Sequence, residues 1–280
     1  MGERLSIETS AGTFDAVAAG PADGRPVLLL HGFPQSSLEW DHQLHALGDA
    51  GYRAVAFDQR GYSPGARPAE VGDYAVKHLV ADVLAVADSV GWTRFDLVGH
   101  DWGAVVAWVA ASRHPARIRT LTAVSVPHPV AFQKAIDGDE DQGRRSRYIG
   151  IFHRPGVMEA TFAEDPGAVF GRMFGQAVPA DHVRRYVERF AEKGALTAAL
   201  NWYRANVNLG ESVGEVVTPT LYVWSTEDVA VGAVAARDCE KWVTGPYRFE
   251  VLDGVSHWVP EQAADRLGGL LIEHFEAHPA

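Results

Sequence analysis

Apolar and polar positions along the chain form two recurring patterns. Short runs rich in β-branched or alternating apolar residues predict strands. They lie at Phe14–Ala19, Val27–Leu30, Ala54–Asp58, Phe95–Gly99, Ile118–Val124, Leu221–Ser225 and Phe249–Leu252. Longer stretches with helical spacing lie at Glu39–Leu47, Val76–Val90, Ala104–His114, Val234–Val243 and Glu261–Ala277. Strands joined by helices form parallel sheets, so the pattern predicts an α/β fold with a mostly parallel twisted sheet flanked by helices.

The alternation stops between about Pro127 and Val213. This stretch has a helical and irregular pattern, and strand-like sequence returns only at Val216–Val217. Its charge run Asp137–Arg147 is typical of a solvated face. We therefore predict a core domain formed by residues 1–128 and 214–280, and a helical cap domain over residues 129–213 that packs on the core as a lid.

Composition and charge restrict the class of partner. The 280 residues are 47% hydrophobic and 22% charged, which is typical of a globular protein. The 25 basic and 36 acidic residues give a net charge of −11, which excludes the basic surface that nucleic acids and anionic membranes require. No apolar run has the length of a membrane span, the segment MGERLSIETS has neither the charged nor the apolar region of a secretory leader, and Cys239 is the single cysteine. We expect a cytoplasmic monomer or homodimer with no membrane or nucleic-acid partner.

The segment Gly99-His100-Asp101-Trp102-Gly103 follows an apolar strand and precedes a helix. This is the strand-turn-helix context of a G-x-S-x-G nucleophile motif, with aspartate in the position of serine. The two glycines allow the strand and the helix to approach closely at a strained turn. A carboxylate in this position predicts displacement at a saturated carbon with an ester intermediate, because carboxylates attack amides poorly.

Hydrolysis of such an ester requires a base and a group that orients it. His257 stands in the loop after the last predicted strand, and Asp228 follows the strand before it, with Glu227 beside it as the alternative acid. The order Asp101, Asp228, His257 is the nucleophile, acid, histidine order of this motif class. All three follow the carboxyl ends of strands, where the catalytic groups of open α/β sheets collect.

The segment His31-Gly32-Phe33-Pro34 follows an early strand and predicts an oxyanion loop. One donor would be the backbone N–H of Phe33, and the other that of Trp102, directly after the nucleophile. Pro34 fixes the turn. The chain has no phosphate-binding glycine loop or metal-ligand motif, and the predicted reaction requires no cofactor and no metal.

Together these segments resemble the α/β-hydrolase-fold epoxide hydrolases over nearly the whole chain. The Asp58–Ser63 segment and the cap segments around Tyr148 and Tyr203 share the likeness. The resemblance implies hydrolysis of an epoxide to a vicinal diol, with both tyrosines donating hydrogen bonds to the epoxide oxygen. A hydrophobic small-molecule substrate would be bound by Phe33, Pro34, Trp102, Phe152 and Trp202.

Two other functions are compatible with parts of this pattern. Haloalkane dehalogenases share the aspartate nucleophile but hold a halide between two N–H donors, of which Trp102 could be one and Trp202 the other. Phe33 has no side-chain donor, which argues against that function. A lidded scaffold that binds an apolar ligand without converting it is the third possibility, although a binder does not need a nucleophile, a base and proton donors together.

Overall fold

The structure is a computed structural model that describes residues 2–207 and 209–279, apart from the side chains of residues 211 and 212. Within these ranges eight strands form one sheet in the order β1-β2-β4-β3-β5-β6-β7-β8. The strands are β1 Glu3–Thr9, β2 Gly12–Ala19, β3 Arg25–Leu30, β4 Tyr52–Phe57, β5 Phe95–His100, β6 Ile118–Val124, β7 Thr220–Glu227 and β8 Tyr247–Ser256. All pairings from β4 to β8 are parallel, and β1 and β2 add an antiparallel edge. The predicted mostly parallel sheet is confirmed.

Helices cover both faces of the sheet and fill the segment between β6 and β7. In chain order they are α1 Asp41–Asp49, α2 Val76–Ser89, α3 Trp102–Arg113, α4 Pro129–Gly138, α5 Glu140–Arg145, α6 Arg147–Phe152, α7 Val157–Glu164, α8 Pro166–Phe174, α9 Ala180–Ala191, α10 Ala195–Ala205, α11 Ala233–Asp238, α12 Val259–Gln262 and α13 Ala264–Ala277. Short 3₁₀ segments lie at Ser37–Trp40, Pro64–Ala66, Val71–Tyr74, Leu209–Ser212 and Cys239–Trp242. The helices α4 to α10 occupy the stretch where the sequence predicts a cap, and the division into two domains stays a prediction.

Alternate residues of the central strands divide the core into two layers. In β3, Leu28 and Leu30 pack in the larger layer beneath α2 and α3, whereas Val27 and Leu29 pack in the layer beneath α1 and α13. Side chains of successive strand residues point to opposite faces, so a strand with helices on both sides has an unbroken apolar run. The helix α3 is buried on almost every side, and it packs against β3, β5, β6 and α2.

The prediction and the structure differ at several elements. The strand β1 is absent from the prediction because only Ile7 of its residues is buried and the rest are mostly polar. The predicted helix Val234–Val243 is α11 followed by the 3₁₀ segment Cys239–Trp242, and Glu261–Ala277 is divided at Ala263, whose φ of −119° leaves the helical region.

Cys239 begins the 3₁₀ segment after α11 and is fully buried. Its sulfur accepts a hydrogen bond of 3.3 Å from the backbone N–H of His128, and burial raises the pKa of the thiol to about 12. None of the helices in the described ranges combines the length and the apolar character that a bilayer crossing requires.

Candidate active site

The sharp bend between β5 and α3 carries Asp101. Its backbone has φ +49° and ψ −118°, a conformation that side chains rarely adopt. A Cβ on Gly99 would lie 2.2 Å from the carbonyl oxygen of Gly103, and one on Gly103 would lie 2.0 Å from that of Leu30. The strand and the helix therefore meet at a separation that only glycine permits, and the nucleophile candidate stands at the tip of this bend.

The two carboxylate oxygens of Asp101 have different partners. Oδ1 accepts a hydrogen bond of 2.8 Å from the backbone N–H of Phe33, and Oδ2 lies 3.6 Å from Nε2 of His257. Burial alone would raise the pKa of Asp101, but the hydrogen bond and charge of His257, His100 and the Phe33 N–H together lower it. Asp101 is therefore ionised at neutral pH.

His257 follows β8 and its ring is held by Asp228, which follows β7. Nδ1 of His257 lies 3.0 Å from both carboxylate oxygens of Asp228. Oδ1 of Asp228 also accepts hydrogen bonds from the backbone N–H groups of Ala230 and Val231, at 2.8 and 3.0 Å. The neighbouring Glu227 is exposed. The structure therefore brings Asp228, and not Glu227, to the histidine.

Two carboxylates dominate the electrostatics of His257. Burial lowers the pKa of its imidazole, but Asp228 and Asp101 outweigh burial and raise the pKa to about 10. Burial likewise would raise the pKa of Asp228, and the charge and hydrogen bond of His257 reverse the shift. In the free protein the site therefore holds an imidazolium between two carboxylates at neutral pH.

Ser125 is a site residue that the sequence interpretation missed. It follows β6 with φ +69°, and its hydroxyl donates a hydrogen bond of 2.7 Å to Oδ2 of Asp228 while lying 2.9 Å from Nδ1 of His257. The available signal was its place at the carboxyl end of a strand between those that carry Asp101 and Asp228. A serine in that position has no spacing motif of its own, so only the sheet order reveals it.

The predicted oxyanion loop lies directly against Asp101. Nε2 of His31 accepts a hydrogen bond of 3.0 Å from the backbone N–H of Gln59, and Gln59 donates one of 2.6 Å to the carbonyl oxygen of His31. These bonds fix the loop, which contains a cis Phe33–Pro34 peptide bond. The N–H of Trp102 is the first of α3, where backbone donors have no partner within the helix. Of the two predicted donors, the Phe33 N–H contacts the Asp101 carboxylate, and the Trp102 N–H is the backbone donor directly after Asp101 in the chain.

The cap segment contributes Tyr148 from α6 and Tyr203 from α10. Their ring centroids are 6.3 Å apart, and the two rings pack edge to face. Burial is the main reason that both phenol pKa values are raised, and the negative charge of Asp101 adds to the rise. Both phenols therefore stay protonated and can donate a proton or a hydrogen bond.

Asp101 and the two tyrosines line a cavity of about 330 Å³. Most other lining residues are apolar, and α4, α6 and the segment after α10 supply many of them. They include Trp102, Val105, Val126, Pro129, Phe132, Ile136, Ile149, Leu209 and Val231. A volume and lining of this kind suit a small hydrophobic ligand.

The predicted substrate-binding residues occupy two positions relative to this cavity. Trp102 lines it, whereas Phe33, Pro34, Phe152 and Trp202 are not among its lining residues. Phe33 packs against Phe152 with ring centroids 5.4 Å apart, and the indole of Trp202 donates a hydrogen bond of 2.9 Å to the carbonyl oxygen of Arg60. These aromatic side chains form a packed layer next to the site.

The chain is similar to known proteins over nearly its whole length. Residues 25–264 match the family model of the alpha/beta hydrolase fold. The chain is 31% identical to the AB hydrolase superfamily protein YfhM of Bacillus subtilis, with 96% of each chain covered. It is also 31% identical to Epoxide hydrolase A of Mycobacterium tuberculosis, with 97% of this chain and 96% of the relative covered. The crystal structure of Epoxide Hydrolase A from Mycobacterium thermoresistibile superposes with a TM-score of 0.86 at 28% identity, covering 99% and 98% of the two chains.

Proposed function

The chain belongs to the α/β-hydrolase fold family and, within it, to the epoxide hydrolases, and we propose that it converts a hydrophobic epoxide to a vicinal diol through an ester of Asp101. The observation that carries the proposal is that the two carboxylate oxygens of Asp101 have different partners. Oδ1 is held by the Phe33 N–H at 2.8 Å, which leaves Oδ2 as the attacking atom. Tyr148 and Tyr203 line the same cavity as that carboxylate.

In the first step Oδ2 of Asp101 attacks a ring carbon of the epoxide. The carbon–oxygen bond of the ring breaks, and a phenol of Tyr148 or Tyr203 gives its proton to the departing oxygen. The products are a neutral ester and a phenolate. Because both phenol pKa values are raised, the phenolate takes back a proton readily.

Formation of the ester also changes the state of His257. The free enzyme holds this imidazole as a cation because Asp228 and Asp101 both raise its pKa. Esterification removes the charge of Asp101, so the pKa of His257 falls and its proton becomes available to restore the phenol. The neutral imidazole that remains is the base that the next step requires.

In the second step His257 takes a proton from water, and the resulting hydroxide attacks Cγ of Asp101. Negative charge then develops on Oδ1, which already accepts the Phe33 N–H, and the Trp102 N–H is the second donor. As this intermediate collapses, the proton of its hydroxyl group passes to the departing alkoxide, which releases the diol and leaves Asp101 as a carboxylate and His257 as an imidazolium. Every proton is thereby accounted for within the cycle.

Trapping of the ester tests this function. His257→Gln lacks the base, so exposure to an aryl epoxide such as styrene oxide should add the mass of one substrate to the protein. Asp101→Ala should show no added mass and no diol while keeping its fold by circular dichroism. Diol formation by Asp101→Ala, or an unmodified His257→Gln protein, would contradict the proposal. Single turnover of the wild type in oxygen-18 water should label Asp101, and a protein that only binds would stay unlabelled.

The halide-releasing alternative has weaker support. Trp202, the candidate second halide donor, gives its indole N–H to the Arg60 carbonyl oxygen at 2.9 Å. Replacing both Tyr148 and Tyr203 by Phe should therefore reduce diol formation from an epoxide far more than bromide release from a bromoalkane. An equal loss with both substrates would favour dehalogenation.

The setting of the reaction is also part of the proposal. We propose that residues 129–213 act as the cap and exclude bulk water from the ester. We further propose a cytoplasmic enzyme that works as a monomer or homodimer on a small molecule without a cofactor; the single, buried, unpaired cysteine supports the reducing compartment.

A further inference from the structure

A buried acid lies behind the active site and takes no part in the reaction described so far. Glu39, in the 3₁₀ segment before α1, is 1% exposed. Its Oε2 lies 3.3 Å from Nδ1 of His100, the residue that precedes the nucleophile in the chain. Nε2 of His100 in turn lies 2.9 Å from the backbone carbonyl oxygen of His257. The acid is thus connected to the backbone of the catalytic base through one imidazole.

The hydrogen-bond partners of His100 fix its tautomer. A carbonyl oxygen only accepts, so Nε2 must carry a proton to bond with His257. The rings of His100 and His257 have centroids 5.0 Å apart, and a second cation beside the His257 imidazolium is unfavourable. A neutral His100 with its proton on Nε2 has only a lone pair at Nδ1. The contact with Glu39 is then a hydrogen bond only if Glu39 supplies the proton.

The surroundings of Glu39 also favour its neutral form. Its second oxygen, Oε1, has no hydrogen-bond partner among the described residues. A buried ionised carboxylate with one oxygen lacking a hydrogen-bond partner would be strongly destabilised. The same missing partner costs less free energy at the carbonyl oxygen of a neutral carboxylic acid. Burial raises the pKa of Glu39, and the nearby Glu261 and Asp101 carboxylates raise it further against the opposing effects of the Gly32 amide and His257.

We propose that Glu39 is a positioning residue that donates a hydrogen bond, as a neutral carboxylic acid, to Nδ1 of His100. This bond keeps the Nε2 proton of His100 on the His257 carbonyl and so holds the loop that carries the base. The inference rests on the proposed two-step function, and it assigns Glu39 to the second step. Ester formation uses Asp101 and the cap tyrosines, whereas ester hydrolysis depends on the exact placement of the His257 ring.

The side chain is best tested by comparing Glu39→Gln with Glu39→Leu. Glutamine keeps a donor at this position, so the rates of ester formation and ester hydrolysis should stay close to those of the wild type. Leucine removes the donor but fills similar space, so ester hydrolysis in single-turnover quench experiments should slow roughly tenfold to a hundredfold while ester formation changes little. A large loss in Glu39→Gln would show that an ionised carboxylate is required and would overturn the proposal.

A matched control separates positioning from general stability. Gln43 on α1 is equally buried and donates a hydrogen bond of 2.9 Å to the carbonyl oxygen of Pro260, without contact to His100. Gln43→Leu should lower the midpoint of unfolding without changing the ratio of the two step rates. If Glu39→Leu behaves in the same way, the role of Glu39 is structural and the inference fails.

The protonation state can be measured without turnover. The infrared difference spectrum of wild type minus Glu39→Gln at neutral pH should contain the carbonyl stretching band of a protonated carboxylic acid. A carboxylate band in its place would overturn the inference whatever the kinetics show. Failure to trap any ester in His257→Gln would overturn the two-step function together with the positioning role. If the ester is trapped in His257→Gln but both step rates of Glu39→Leu equal those of the wild type, only the positioning role is overturned.

Discussion

At the scale of single residues, the site depends on which side-chain atoms already have hydrogen-bond partners in the free enzyme. The Phe33 N–H holds Oδ1 of Asp101 in the free enzyme, so the proposed oxyanion contact is already formed before charge develops on that oxygen. Preorganisation of this kind avoids the cost of reorienting donors during the reaction. Loss of one such donor typically reduces the rate by roughly 10²–10³. The same reasoning applies to Asp228, which the backbone N–H groups of Ala230 and Val231 hold in place.

Ser125 permits a test at this scale. Ser125→Ala removes the 2.7 Å hydrogen bond to Asp228, and we expect hydrolysis of the ester to slow about tenfold with little change in kcat/KM, which depends only on the steps up to ester formation. Ser125→Gly removes the same hydroxyl but accepts the φ of +69° without strain. It should lose equal activity yet be more stable than Ser125→Ala by about 1 kcal/mol in urea unfolding. Full activity in both variants would contradict a role for the hydroxyl.

The sequence predicted the candidate reacting groups that the structure brings together, but not the residues that contact them. Asp101, His257 and Phe33 stand in spaced motifs that follow strands, and the structure brings them within hydrogen-bonding or ion-pair distance. Ser125 and Glu39 reach the site only because strands and loops that are distant in the chain pack together. No local pattern marks residues of that kind, so sequence alone could not identify them.

At the scale of elements, the bend between β5 and α3 is constrained by close backbone packing at both of its glycines. The start of α3 packs against the end of β3, and the space for a side chain at Gly103 is occupied by the backbone of Leu30. Backbone atoms cannot move aside as a flexible side chain can. The position of the nucleophile is therefore set by the contact between two elements rather than by the local turn alone.

A glycine pair tests this constraint. Gly103→Ala should destabilise the protein by about 2 kcal/mol or more, because its Cβ would lie 2.0 Å from the Leu30 carbonyl oxygen. Gly269 lies on the exposed face of α13, and a Cβ added there would have open space within 4 Å. Gly269→Ala should therefore stabilise the protein by about 0.5–1 kcal/mol. Thermal unfolding monitored by circular dichroism distinguishes these results, and equal effects would contradict the packing argument.

Element prediction succeeded where burial produces a clear apolar run in the sequence and failed where it does not. The strands β3 to β7 are apolar runs buried on both faces, and all were predicted. The edge strand β1 has mostly polar residues and gains its place through antiparallel pairing with β2. Such pairing uses backbone groups, which leave no signature in the order of side chains.

At the scale of the whole molecule, polar contacts connect the cap segment to the core around the site. Arg189 of α9 donates a hydrogen bond of 2.7 Å to Asp58, in the segment after β4. Glu261 of α12 accepts from Tyr186 and lies within hydrogen-bonding distance of His182, both from α9, at 2.9 Å each. The sequence indicated a helical insertion, but which of its side chains reach the core depends on packing between residues about 75 to 130 positions apart.

The charged site should also make the stability of the whole chain depend on pH. His257 has a folded pKa of about 10, above the ordinary value of 6.5. Its contribution to stability is therefore complete below pH 6.5 and is lost as the pH rises towards 10. Loss of one partner from a buried ion pair costs roughly 3–5 kcal/mol, so His257→Gln should be less stable than the wild type by about that amount below pH 6.5.

Urea unfolding of both proteins at one pH below 6.5 and one near 10 measures this difference. The gap in the free energy of unfolding should shrink at the higher pH, because the wild type loses the imidazolium there. The lowered pKa values of Asp101 and Asp228 act in the opposite direction and matter only in acid, below about pH 4. A gap that stays constant or widens between the two conditions would contradict the charge assignment.

The burial of Cys239 makes the native chain nearly inert towards alkylating reagents and maleimides, since its thiolate is scarce at neutral pH. A cysteine placed at Glu188, whose side chain is 67% exposed on α9, would then be the single reactive thiol. A fluorescent or spin label attached there would report the position of α9 relative to the core during turnover, with no need to remove a native cysteine first.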